Sequence, residues 1–156
     1  MATLYIIQGF IASGKTTYSK KLAKQTHATH LNPDEQISKL FSKENYMNNW
    51  NECFDQTTTY LWDKAKKLLL SGQDVIFDMG FWHKKDRDFA RKLAKDCNSE
   101  CKHIYLYVPD EILKERIVSS RPPEWAEKHL KNFEKNKQSF EEPTDNEVVE
   151  VIKNFW

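Results

Sequence analysis

The chemistry of this chain is most legible in Gly9-Phe10-Ile11-Ala12-Ser13-Gly14-Lys15-Thr16, which spells G-x-x-x-x-G-K-T. Gly9 and Gly14 allow the backbone to take φ > 0 and to approach an anion with no Cβ in the way. The amides of such a loop, together with the N-terminus of a following helix, aim partial positive charge at phosphate oxygens. Lys15 is the residue type that reaches β- and γ-phosphates, and the Thr16 hydroxyl is the type that ligates Mg²⁺. Gly9, Ala12, Ser13, Gly14, Lys15, Thr16 and Thr17 are therefore the expected nucleotide-binding residues. Alone, the loop says only that a nucleoside triphosphate binds.

What happens to the triphosphate depends on acids and arginines elsewhere. Asp34 stands just after a short apolar segment and a proline. A carboxylate there can orient an acceptor hydroxyl and take its proton as a phosphoryl group transfers. Its competing role is that of a first-turn acid matched to a helix dipole, which suits Glu35 better. Asp78 ends the apolar run Val75-Ile76-Phe77 and is expected to help hold Mg²⁺, directly or through water, or to position the acceptor. Phe81 and Trp82 follow it and are read as core, with the lining of an acceptor pocket as the alternative. Arg116 and Arg121 flank the end of a helix, where a guanidinium can neutralise charge developing on a transferring phosphoryl group. Arg87 is a candidate to face the acceptor, with a salt-bridged surface as its alternative.

These residues must be positioned by alternating strands and helices. Leu4 to Ile7 reads as a buried strand, followed by the glycine loop and a helix to Thr26. Ala28 to Asn32 is a second strand, with Asn32 as cap and Pro33 as first residue of a helix through Phe41. A loop over residues 45–49 precedes a longer helix with Trp50, Phe54, Leu61, Ala65 and Leu68 on one face. Asp74 to Asp78 is a third strand, and residues 83–97 a helix with Phe89, Leu93 and Cys97 as its stripe. Residues 102–108 form a fourth strand, Pro109 opens a helix stopped at Pro122-Pro123, residues 124–140 form one polar helix, and residues 148–152 are a last strand. Such alternation predicts a parallel sheet covered on both faces, with its ligands beyond the strands' carboxyl ends.

The remaining composition mostly excludes. With 24 basic and 23 acidic residues among 156, the net charge of +1 advertises no nucleic-acid partner. Cys53, Cys97 and Cys101 have no metal-ligand spacing and read as reduced thiols. The five histidines are scattered and default to core or surface roles. No run is apolar enough to span a membrane, nor does the N-terminus read as a signal peptide, so the expected location is the cytoplasm. Oligomeric state is not written in the sequence.

Across nearly its whole length the chain resembles the small P-loop kinases related to the nucleoside-monophosphate kinases. Within them it is most similar to the branch with polynucleotide 5′-kinases, zeta toxins and chloramphenicol phosphotransferase. The residues that carry the likeness are Gly9 to Thr16, Asn32-Pro33-Asp34-Glu35, Asp78-Met79-Gly80-Phe81-Trp82 with Arg87 following, and Arg116-Ile117-Val118-Ser119-Ser120-Arg121. The resemblance implies an α/β, three-layer P-loop kinase fold whose five-stranded parallel sheet is ordered 2-3-1-4-5. It implies one domain over residues 1–156, with a helical lid at residues 117–138 bearing Arg121.

By the same likeness, ATP with Mg²⁺ is the donor, Lys15, Asp34, Arg116 and Arg121 are catalytic, and Arg116 also touches the nucleotide. Asp34, Asp78 and Arg87 face the acceptor, Thr16 and Asp78 serve the metal, and Phe140 to Pro143 lie near the adenine. Polynucleotide kinases place an arginine three residues after the base aspartate, and here that position is Ile37. The expectation is therefore transfer of the γ-phosphoryl group to a hydroxyl of a small molecule. A polynucleotide 5′-hydroxyl kinase is the disfavoured alternative, and a non-catalytic ATP-binding switch the other.

Overall fold

The first strand, β1 (Thr3–Gly9), shows why the sheet has helices on both sides. Leu4 and Ile6 point into one apolar cluster and Ile7 into another, and all three are fully buried. A strand apolar on both faces is stable only in the middle of a covered parallel sheet. The computed structural model describes residues 1–120 and 122–155 and places β1 there. Four more strands join it: β2 (Thr29–Leu31), β3 (Val75–Gly80), β4 (Glu100–Tyr107) and β5 (Glu150–Lys153). The order is β2-β3-β1-β4-β5, with every pairing parallel, as the resemblance implied.

Eight helices connect them among the described residues: α1 (Lys15–Thr26), α2 (Pro33–Leu40), α3 (Lys43–Asn48), α4 (Trp50–Leu70), α5 (Lys84–Asp96), α6 (Asp110–Val118), α7 (Pro123–Lys131) and α8 (Phe133–Ser139). Leu61, Trp62 and Ala65 of α4 and Ala90 and Ala94 of α5 cover the Leu4–Phe77 face. Tyr18, Leu22 and Ala23 of α1 cover the Ile7–Ile104 face. A third cluster, around Phe10, Leu113, Phe133 and Phe140, packs under the glycine loop.

Several elements depart from the sequence expectation. The expected loop at 45–49 is mostly helix, because the Ser42 hydroxyl accepts from the Asn45 amide and so caps α3. The polar helix expected over 124–140 is broken at Asn132, whose φ of −97° and ψ of 7° leave helical geometry. The break lets Phe133 drop, 1% exposed, against Phe10. On α4 the buried face runs through Cys53, Thr57, Leu61, Trp62, Ala65 and Leu69, while Trp50 is exposed. On α5 the buried residues are Arg87, Ala90 and Ala94, and Phe89 is half exposed. A buried arginine has no place in an apolar-stripe reading, which is why the face was misassigned.

Candidate active site

The loop after β1 is held from behind by its second residue. Phe10 stacks on Trp82 with ring centroids 5.1 Å apart and meets Phe133 and Phe140 edge-on. Trp82 also donates its indole N–H to the Gly9 carbonyl at 3.2 Å. Gly9 is required because a Cβ there would come within 2.3 Å of Ser13 Oγ and 2.9 Å of Lys15 Cγ. Gly14 is required because its φ is +91° and a Cβ would meet Asn154 Nδ2 at 2.7 Å. Helix α1 starts at Lys15 with no side-chain cap and no acid in its first turn, so its free amides face an approaching anion.

Lys15 folds back into that loop, donating from Nζ to the Phe10 carbonyl at 3.0 Å. Desolvation in the crowded throat lowers its pKa, against the opposing pull of Asp78 and Asp34. An ammonium ion poorly solvated in this way gains from a phosphate placed beside it. Asp34 on α2 shifts upward, chiefly by desolvation, with Asp78 and Glu35 adding to the rise and Lys15 opposing it. Its residue surface is nevertheless exposed. That openness leaves the carboxylate accessible to a second substrate.

Asp78, 3% exposed, is the hub of the site. Its Oδ2 accepts from Thr16 Oγ1 at 3.1 Å and Asn32 Nδ2 at 3.0 Å, and faces His30 Nε2 at 3.0 Å. Asp78, two residues before the end of β3, and the Thr16 hydroxyl at the start of α1 are thus one unit, offering hard oxygen donors of the kind Mg²⁺ prefers. Asn32 does double duty, since its Oδ1 also accepts from the Glu35 amide to cap α2. The sequence exposed only the capping role of Asn32 and gave His30 none. The available signal was position, because both lie on β2 or at its end, beside β3.

Behind the loop, Asn154 is 4% exposed and donates Nδ2 to the Ser13 carbonyl at 2.7 Å. Arg116 of α6 donates to the carbonyls of Ala12 and Asn154, so it lies against the loop. Thr17 is exposed on the first turn of α1. Arg121 lies outside the described residues.

One expectation is corrected. Arg87, expected to face the acceptor, is 0% exposed and turned the other way. Its guanidinium donates to both carboxylate oxygens of Glu147 and to the carbonyls of Phe81, Glu141 and Glu142. It staples residues 141–147 to α5, and neither an acceptor contact nor a surface salt bridge describes it. The stretch Phe140 to Pro143, expected near adenine, is part of this staple. Gln8 Nε2 also donates to the Glu141 carbonyl, and Phe140 packs into the Phe10 cluster.

A protein-family model described as an AAA domain matches residues 4–143. The chain belongs to that family. Its G-x-x-x-x-G-K-T loop is the phosphate-binding motif of P-loop proteins. Adenylate kinase 8 of Xenopus laevis is 33% identical over 124 residues, covering 74% of this chain and 24% of that protein. The chain thus spans about a quarter of the length of the curated relatives it matches. In fold it is similar to a sugar kinase from Janibacter sp., at a TM-score of 0.67 and 18% identity over 98% of this chain and 86% of that one. It is equally similar to Chaetomium thermophilum Kti12 in complex with ADP-AlF3, at a TM-score of 0.67 and 17% identity over 96% and 88%. Among the described residues no helix is long and apolar enough to cross a membrane.

Proposed function

We propose that this protein is an ATP-dependent phosphotransferase that moves a γ-phosphoryl group to a hydroxyl of a small molecule. The observation that carries the reading is the meeting of Lys15, Asp34 and Asp78 beyond β1, β2 and β3, where the charges of Asp78 and Asp34 act on Lys15 and those of Lys15 and Asp78 act on Asp34. A nucleotide-binding switch needs the lysine and the buried acid. It has no use for an accessible carboxylate whose proton affinity is raised above that of an ordinary aspartate.

The residues fit the donor and its metal. The cradle at Gly9 would be filled by any Cβ, and Ser13 Oγ is buried with no partner among the described residues. Both features suit a phosphate in the loop. Thr16 and Asp78 are the residues that would hold Mg²⁺, and the ion would supply positive charge that neutralises the phosphates. Lys15 would neutralise charge on the β- and γ-phosphates, and Arg116 would contribute a guanidinium at the nucleotide.

In the step itself the acceptor oxygen attacks the γ-phosphorus. The new O–P bond forms as the bond to the β,γ-bridging oxygen breaks and ADP leaves. The acceptor's O–H proton passes to the Asp34 carboxylate and then to solvent. Raising the pKa of Asp34 makes it a better proton acceptor at the moment of transfer. Ile37 is 2% exposed in the core and offers the acceptor nothing, which supports a small molecule over a nucleic-acid end.

ADP release measured across sugars, nucleosides, antibiotics and 5′-hydroxyl oligonucleotides tests the reading, with Lys15→Ala as control. Acceptor-dependent release that Asp34→Asn abolishes is expected. Release indifferent to every acceptor and to Asp34→Asn would leave the switch reading in its place.

A further inference from the structure

A cavity of about 360 Å³ opens beside the loop, between the first half of α4 and the turn from β3 into α5. Trp82, which bonds to Gly9, forms one wall, and Met79, which directly follows Asp78, lies in another. Phe54, Trp62 and Phe89 supply further aromatic surface, with Trp62 and Phe89 edge-to-face at 5.2 Å. Phe89 is 51% exposed although one edge of its ring packs on Trp62.

The charges around this cavity have one sign. Asp55 of α4 and Asp86 of α5 line it, and among the described residues no lysine or arginine does. Two cations next to it in sequence are turned elsewhere. Lys84 pairs with Asp88 at 2.8 Å, and Arg87 points into the core toward Glu147. His83 at the rim is held by Glu141 at 2.7 Å. Thr58 Oγ1 is also in the lining, buried and without a partner among the described residues. Its neighbours Thr57 and Thr59 both return their hydroxyls to the preceding turn of the helix, and Thr58 does not.

Given the phosphotransfer reading above, the geometry points to an acceptor that is an amino alcohol with an apolar or aromatic body. Aromatic faces attract an ammonium group, carboxylates pair with it, and the unpartnered threonine hydroxyl offers a hydrogen bond. The same walls reject a phosphate or carboxylate, which would face two acids with no counter-charge. A phosphorylated acceptor or a nucleic-acid end is therefore disfavoured by the charge of this cavity as well as by Ile37.

Calorimetric titration of the full chain with phenylethanolamine, its N-acetyl derivative and mandelate isolates the charge on one scaffold. Phenylethanolamine should bind on the order of tenfold more tightly than the N-acetyl form, and mandelate weakest. Asp86→Asn and Asp55→Asn, both partly exposed and outside the core, should each erode that preference while leaving ATP binding unchanged. Equal binding of all three, tightest binding of mandelate, or no saturable binding of any would overturn the assignment. ADP release run in parallel separates the two proposals. Amine-selective binding with no acceptor-dependent release would sink the kinase reading and leave the pocket assignment standing. Efficient transfer to acceptors without an amine would do the reverse.

Discussion

Replacing Arg87 by methionine removes the staple while keeping the bulk of its stem. In the native protein all of the contacts named above converge on a guanidinium with no exposed surface, facing a Glu147 side chain that is 3% exposed. Burial by itself would raise the pKa of Glu147. The hydrogen bond from Arg87, the Thr144 amide and the charges of Arg87 and Arg91 outweigh it and hold the carboxyl at about 2, against an ordinary value of 4.5. A carboxylate with a depressed folded-state pKa contributes stability that is present above the unfolded value and lost as pH falls toward the folded one. The difference of about 2.5 units corresponds to an upper limit of ~3.4 kcal/mol at pH 7, falling to ~1.4 kcal/mol at pH 3.

Mutational experience with broken buried ion pairs, about 3–5 kcal/mol, brackets the same figure. Arg87→Met should therefore lower the urea-unfolding free energy by about 3 kcal/mol at pH 7, with an unchanged denaturant slope, and by clearly less at pH 3. A variant as stable as wild type, or a loss that does not shrink on acidification, would refute the reasoning.

Asp34→Asn should cut phosphotransfer by on the order of a hundredfold or more while ATP still binds, as steady-state rates and calorimetry would show. Because the folded-state pKa of Asp34 is raised, its contribution to stability is present below the ordinary value of 3.8 and lost as pH rises through the folded one. Asp34→Asn should accordingly gain thermal stability relative to wild type at pH 7 compared with pH 3; a gain that is equal or reversed contradicts the shift. Asp78→Asn should raise the Mg²⁺ concentration needed for half-maximal activity by about tenfold while metal-free nucleotide binding changes little, a contrast visible in a metal titration. Gly14→Ala puts a Cβ at φ +91° and against Asn154, and should lower stability by about 1–2 kcal/mol and weaken ATP binding. Normal ATP affinity in that variant would show that the loop tolerates the crowding.

Sequence patterns revealed the alternating strands and helices and the glycine loop because both rest on local signals, whereas the strand order came with the family resemblance. Strands buried on two faces are apolar throughout, as in β1, and the loop needs its glycines at fixed spacing. The identity of Asp78 as an acid at a strand end was equally legible. What it bonds to was not, because Thr16, His30 and Asn32 reach it from two other segments that only the parallel pairing brings alongside. Arg87 was misread for a related reason. Its partner, Glu147, is sixty residues away, and nothing local distinguishes a buried, paired arginine from one that grips a substrate. The aromatic cavity was also hidden. Phe54 and Phe89 sit on separate helices, and each looked like an ordinary core residue within its own periodicity.

The central claim is that the P-loop site passes its phosphoryl group to a hydroxyl through Asp34. The most direct measurement follows ATP labelled at its γ-phosphate in a single turnover with the acceptor panel, in wild type and in Asp34→Asn. The account predicts label on an acceptor hydroxyl in wild type and its loss in Asp34→Asn, with ATP bound in both. Label released only as inorganic phosphate, at the same rate in both proteins and with every acceptor, would contradict it.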